Sequence, residues 1–235
     1  MIPSQPCAMN TALNGSLTGR VAIVTGGSRG VGGATVRRLA AAGYAVVVNY
    51  LHDQRAAELT VEAILAGNCD ALAVRADVAD DLDVQRLFTE TIAAFGGVDV
   101  VVHTAGGHPT SVAVTEADLD EFDALVRLNT RAAFVVNREA ARHLRDGGAI
   151  VNLSSSAEGP SLSSHGLYAV TKASTNVLTQ AFAAELRERD ITVNAVSPAV
   201  HGPCLPDRVT DVITYLLSDH GHRLTGQILR VDGAD

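Results

Sequence analysis

From Val21 onward the chain alternates short apolar runs, each the length of one β-strand, with longer segments in which apolar residues recur at helical spacing. Parallel strands need a crossover between them, usually a helix. Buried on both faces, they read as near-continuous Val, Ile and Ala. The runs are VAIVT from Val21, AVVVN from Ala45, ALAVR from Ala71, VDVVVH from Val98, AIVNLS from Ala149, TVNAV from Thr192 and QILRV from Gln227. The segments between them predict helices over Val31 to Ala42, Gln54 to Ala66, Asp81 to Phe95, about Glu116 to Leu144, Tyr168 to Glu188 and Asp207 to Leu217. Gly43 and Gly67 stand where C′ glycines end the first two, and Asp80 or Asp81 can cap the third. Right-handed crossovers then predict an α/β, doubly wound fold: a seven-stranded parallel sheet of order 3-2-1-4-5-6-7 with helices on both faces. Ligand is expected at the carboxyl ends of the strands, where the order reverses.

At 235 residues this reads as one domain over 17–235 behind a flexible extension, 1–16, which is polar, Pro-containing and aperiodic. The 47% hydrophobic content, with 4% aromatics and no Trp, describes a core of small and branched side chains. A formal charge of −8 argues against nucleic acid and an anionic membrane surface as partners, leaving a small molecule. No apolar run reaches the roughly 18 residues of a bilayer span. Cys7, Cys69 and Cys204 are odd in number and lack a CxxC pair, so neither a disulfide framework nor a zinc knuckle is indicated. A reducing cytoplasm is the simplest compartment.

Two motifs carry chemistry. Directly after the first strand, TGGSRGVG (Thr25 to Gly32) opens the first helix. Gly26 permits a tight turn, Gly30 lets the backbone approach a pyrophosphate at the helix N-terminus, and Gly32 allows close packing; Ser28, Arg29 and Val31 complete the turn. Further on, Tyr168-Ala-Val-Thr-Lys172 places a phenol and an ammonium four apart on one helix face. A phenol titrating near 10 is a poor catalyst at neutral pH, and a neighbouring ammonium is expected to lower that value.

The G-x-x-x-G-x-G spacing of Gly26, Gly30 and Gly32, joined to Tyr168 and Lys172, resembles the classical short-chain dehydrogenase/reductase family, over about Leu17 to Gly233. The resemblance implies a Rossmann-type oxidoreductase acting on C=O or CH–OH with a nicotinamide cofactor. The family's catalytic Ser lies thirteen positions before the Tyr, which selects Ser155 over its neighbours Ser154 and Ser156, and Asn129 matches the helix-interrupting Asn. The implied catalytic set is Asn129, Ser155, Tyr168 and Lys172, with Lys172 also binding the nicotinamide ribose. The acidic residue that grips the NAD ribose at the end of the second strand is replaced by Tyr50, and Arg29 can pair with a 2′-phosphate. NADP(H) is therefore favoured over NAD(H). The competing reading is a solvated Arg29, with Asp53 bending back to the ribose.

Asp77 and the Val78 amide match the adenine contacts, and Ala105 and Gly106 those near the adenine ribose. His103-Thr104 stands where the family has Asn-Asn, leaving the role of His103 open. Beyond the sixth strand, Pro198 and Val200 fall at cofactor positions, Ala199 replaces a Gly and Pro203 a Thr, and the chain reaches Asp207 almost at once. The family's substrate-covering lid is missing, which suits a bulky or carrier-bound substrate. Of His108, His165, His201 and Cys204 none has metal-site spacing, and no metal is expected.

The leading function is an NADPH-dependent ketoreductase similar to 3-oxoacyl-carrier-protein reductases, with Tyr168 as proton donor. The alternatives are an NAD-dependent alcohol or sugar dehydrogenase, and a cofactor-binding scaffold or regulator with little catalysis. The resemblance also implies a homodimer or homotetramer paired through two long helices.

Overall fold

All seven apolar runs are strands; the inner ones are buried on both faces, while the two edge strands, from Ala71 and from Ile228, are mostly half-buried. The structure, a computed structural model, describes residues 19–107, 112–155, 162–198 and 205–231, and describes no side chain at 162–164 or 205. The N-terminal extension 1–16, His108, Ser156, Ala199, Val200, His201, Pro203 and Cys204 lie outside the described residues.

The strands are β1 (Val21–Thr25), β2 (Ala45–Tyr50), β3 (Ala71–Arg75), β4 (Val98–His103), β5 (Leu144–Leu153), β6 (Thr192–Pro198) and β7 (Ile228–Val231). They pair in parallel in the order β3-β2-β1-β4-β5-β6-β7. Side chains alternate across the sheet. Ile23, Val47, Val101, Ile150 and Val193 face one layer with Leu87, Phe88, Val136 and Phe182, while Ala22, Val24, Val48, Val100 and Val102 face the other with Val36, Leu39, Ile213 and Leu216. The first layer comes from helices α3 (Asp81–Phe95), α5 (Ala132–His143) and α6 (Leu162–Glu185); the second from α1 (Gly30–Ala41), α2 (Gln54–Ala66) and α7 (Leu205–Leu216). A short helix, α4 (Leu119–Leu125), precedes α5.

Five details depart from the sequence reading. The single helix expected over Glu116 to Leu144 is broken: a 3₁₀ turn at Val114–Glu116, then α4, then a π-helical segment at Val126–Arg131, then α5. The apolar period runs unbroken through the π segment, so it hides the extra residue. The helix expected from Tyr168 begins at Leu162, with non-helical backbone at His165, and ends at Glu185. Strand β5 starts at Leu144, though regular pairing with β4 resumes only at Ala149, after a register shift between Val98 and Val100. Gly43 does take φ +94°, but after α2 it is Asn68 (φ +57°) and not Gly67 (φ −83°) that adopts the left-handed turn. Cys69 is disulfide-bonded, which the cysteine spacing did not indicate. No helix among the described residues is long and apolar enough to cross a membrane.

Candidate active site

The crevice forms where β1 and β4, neighbours in space, send their chains to opposite faces of the sheet. Gly26 (φ +64°) turns the backbone directly after β1, and its amide faces the Asn49 side chain at 3.4 Å. The Gly27 amide donates to the Asn49 carbonyl at 3.0 Å, and Asn49 Nδ2 donates to the Ala76 carbonyl at 3.0 Å. Asn49, buried at the end of β2, therefore ties the glycine turn to the ends of two strands. The sequence reading passed over it for Tyr50, although an amide inside an apolar strand was the available signal.

At Gly32 a Cβ would overlap the Gly26 carbonyl and press on Thr104 Oγ1, so the close packing expected of this glycine is real. At Gly30 (φ +56°) a Cβ would meet nothing within 4 Å, leaving the first turn of α1 open. That helix start differs from its neighbours. Helices α2, α3 and α4 are capped by the side chains of Asp53, Asp80 and Asp118, whereas Arg29 at the start of α1 makes no side-chain cap and no acidic residue occupies the first turn. Its unsatisfied amides and partial positive charge remain for an anion, which fits the pyrophosphate of a dinucleotide.

Arg29 is largely exposed and its Nη1 lies 3.3 Å from Asp53 Oδ2. Asp77 Oδ2 accepts from Arg127 at 2.7 Å and Oδ1 from the Ala79 amide at 2.9 Å. Burial pushes the Asp77 carboxyl up, but the Arg127 and Ala79 hydrogen bonds outweigh it and hold it below the usual range. Both oxygens of the expected adenine acceptor thus already hold a donor. Arg127, on the exposed side of the π segment, is a site neighbour the sequence reading missed, because nothing in sequence links it to a loop fifty positions earlier. Val78 is buried beside Asp77 and Tyr50 is half-buried at the end of β2.

Beyond β4, Thr25 Oγ1 accepts from the Thr104 and Ala105 amides at 3.1 and 3.2 Å, fixing the turn that presents Ala105 and Gly106. Gly106 is tightly enclosed on one side: a Cβ there would stand 2.8 Å from Asn129 Oδ1 and 3.1 Å from Lys172 Nζ. The π segment explains how Asn129 reaches this point. Its extra residue turns the buried Asn129 inward, where Oδ1 accepts from the Gly107 amide and Nδ2 donates to Thr171 Oγ1, both at 3.0 Å. Thr171 Oγ1 in turn donates to the Tyr168 carbonyl at 2.8 Å, so Asn129 is latched to the helical turn that carries Tyr168.

Tyr168 and Lys172 lie one turn apart on α6, with Lys172 Nζ 5.8 Å from the centre of the Tyr168 ring. Burial raises the Tyr168 hydroxyl above its ordinary 10, and a hydrogen bond with the Ser155 side chain pulls it partly back. The expectation that Lys172 depresses Tyr168 is not met. Buried itself, Lys172 is pushed down to about 8, and its ammonium donates to the Leu153 carbonyl at 3.0 Å. The two groups face different partners. Ser154 is buried, with its hydroxyl donating to the Lys172 carbonyl, while the Ser155 side chain is the one that acts on the phenol. Pro198 ends β6, and only residues 199–204 separate it from α7.

Residues 20–205 match the family model described as short chain dehydrogenase. The chain belongs to the short-chain dehydrogenase/reductase family. Such proteins are oxidoreductases that act on carbonyl or hydroxyl groups with NAD(P). Versicolorin reductase 1 of Aspergillus parasiticus is 35% identical over 260 residues, covering 94% of this chain and 97% of that protein. The hydroxynaphthalene reductase of Aspergillus fumigatus is 37% identical over 191 residues, covering 81% and 70%. A short-chain dehydrogenase from Burkholderia cenocepacia, solved in complex with NADP, superposes with a TM-score of 0.85 at 32% identity, covering 94% of this chain and 99% of that one. The short-chain dehydrogenase/reductase sheet order is the one built here strand by strand.

Proposed function

We propose that the chain is an NADPH-dependent ketoreductase whose catalytic residues are Asn129, Ser155, Tyr168 and Lys172. The observation that carries this reading is the convergence of Asn129 and Lys172 on Gly106, 2.8 and 3.1 Å from where a Cβ would stand, one helical turn from Tyr168, whose hydroxyl the Ser155 side chain influences. A reduced nicotinamide cofactor, when bound, supplies the hydride that goes to the carbonyl carbon.

Tyr168 gives its phenolic proton to the carbonyl oxygen. Burial keeps that proton in place at neutral pH, the form a proton donor needs. Ser155 donates a hydrogen bond to the same oxygen and stabilises the charge developing there. Lys172, still mostly an ammonium at pH 7, holds the nicotinamide ribose hydroxyls. Asn129 keeps the Tyr168 turn and the Gly106–Gly107 backbone in register. The adenosine end falls to Gly26, Ser28, Arg29, Gly30, Val31 and Gly32, with Tyr50, Asp77, Val78, Ala105 and Gly106 beside it and Pro198 toward the nicotinamide.

Arg29 and the absence of a carboxylate at Tyr50 support NADPH, as do NADP-bound neighbours such as the Burkholderia protein. The short link between β6 and α7, together with a relative named for hydroxynaphthalene, supports a bulky, rigid cyclic ketone. Phe134, Val170 and Val177, exposed on the adjacent helices α5 and α6, support pairing of two copies through that face. Purified chain mixed with NADPH and a panel of cyclic ketones should consume the cofactor only when a ketone is present. Consumption of NADH alone, or of neither cofactor, would contradict the proposal.

A further inference from the structure

The chain that leaves the crevice at Gly107 comes to rest on α6 two residues before Tyr168. A Cβ at Gly166 would stand 2.5 Å from Val114 Cγ2, which is the one atom of another described element within its reach. Val114 therefore occupies the space that a side chain at 166 would need. Gly166 is buried, follows the non-helical backbone at His165, and opens the regular turn that carries Tyr168. A β-branched side chain is stiff at χ1, so one methyl group seated on Gly166 fixes the direction of the other. Val114 nonetheless leaves 62% of its surface exposed. An exposed valine alone is ordinary; this one is held by a glycine on the helix of the active site.

We propose that Val114 is a specificity-determining residue: seated on Gly166, it forms an apolar wall of the substrate cleft and meets the outer ring of a bulky, uncharged cyclic ketone. This rests on the reading that Tyr168 protonates the substrate carbonyl. The link from β6 to α7 is only residues 199–204, so the wall on the side of β4 has the larger share of the ring system to hold. From Gly107 to Val126 the chain has no Lys or Arg, while Glu116, Asp118 and Asp120, close to Val114 in sequence, are exposed. Those carboxylates oppose a phosphate-bearing carrier and leave a neutral ring as the group that gains by contact. Glycine at 166 sets where the wall stands, because any Cβ there must move Val114.

The test uses that coupling. Val114→Ala, Gly166→Ala and the double variant of the full chain are compared with wild type in NADPH oxidation. The ketones are β-tetralone, with two fused rings, and cyclohexanone, with one; NADPH binding is followed by fluorescence. In Val114→Ala the KM for β-tetralone is expected to rise about tenfold, the low end of what a lost methylene does in an apolar pocket. The KM for cyclohexanone, kcat and NADPH binding should each stay within about twofold. Gly166→Ala should raise the β-tetralone KM by a similar factor, by displacing Val114. It should add less than about twofold once Val114→Ala has removed the methyl group it would strike, the mark of two residues acting through one contact.

If the β-tetralone KM stays put in Val114→Ala, or if Gly166→Ala has the same effect with and without the Val114 methyl groups, the wall is refuted, and the Tyr168 reading stands as long as wild type still reduces either ketone. If wild type reduces neither ketone, or Tyr168→Phe reduces both as fast as wild type, the catalytic reading has failed and the wall falls with it.

Discussion

Thr25 Oγ1 lies 2.8 Å from His103 Nδ1, and that oxygen already accepts two backbone amides, from Thr104 and Ala105. With both lone pairs taken, the hydroxyl must spend its proton on His103 Nδ1, which leaves the ring neutral with its proton on Nε2. Burial, and secondarily the charge of Lys172, push His103 down to about 3. His103 thus acts as a neutral acceptor at the end of β4.

That assignment has a pH signature. Between its ordinary 6.5 and about 3 the unfolded chain takes up a proton that the folded chain refuses, so the stability from neutral His103 is complete above pH 6.5 and drains away below it. Wild type should lose about 1.4 kcal/mol per pH unit more than His103→Asn across that window. Urea midpoints at pH 7, 5 and 4 check it, and parallel losses in the two proteins would count against a neutral buried ring.

Gly106→Ala puts a methyl group 2.8 Å from Asn129 Oδ1 and 3.1 Å from Lys172 Nζ. Such crowding costs about 1–3 kcal/mol. The displaced atoms are those proposed to serve the reaction, so turnover should fall at least tenfold while the melting temperature drops by only a few degrees. A variant of unchanged turnover would show that Gly106 does not set this geometry.

The ends of the strands were more legible than what lies between them. Continuous Val and Ile in β1, β2 and β4 can only be strands buried on both faces, and the turn glycines stand where the backbone needs them. The π segment was hidden, because one extra residue in a turn leaves the apolar pattern of α4 and α5 nearly intact. The start of α6 was hidden too, since LSSHG carries no apolar period. Tyr168 and Lys172 were singled out by their spacing, and Ser155 by the spacing that the family resemblance implies. Asn49 showed only as an amide inside an apolar strand, and Arg127 not at all, because its role comes from a contact across fifty positions of chain.

Lys172 supplies a second pH dependence. Its ammonium titrates at about 8 in the folded chain against an ordinary 10.5. The kcat/KM for cofactor, which reports the free enzyme, should fall tenfold per pH unit above about 8 as the ammonium is lost. Stability moves the opposite way: from pH 8 to 10.5 the folded chain sheds a buried charge that the unfolded chain keeps, so wild type gains stability relative to Lys172→Met. A flat rate profile through pH 9 would remove Lys172 from cofactor binding.

The central claim is that Tyr168 delivers the proton during carbonyl reduction, and Tyr168→Phe tests it with the loss of a single oxygen atom. Ketone-dependent oxidation of NADPH should fall by about 10²–10⁴-fold, the usual share of a positioned acid, while NADPH binding, measured by fluorescence, stays within about twofold. Equal reduction rates in wild type and Tyr168→Phe would contradict the account.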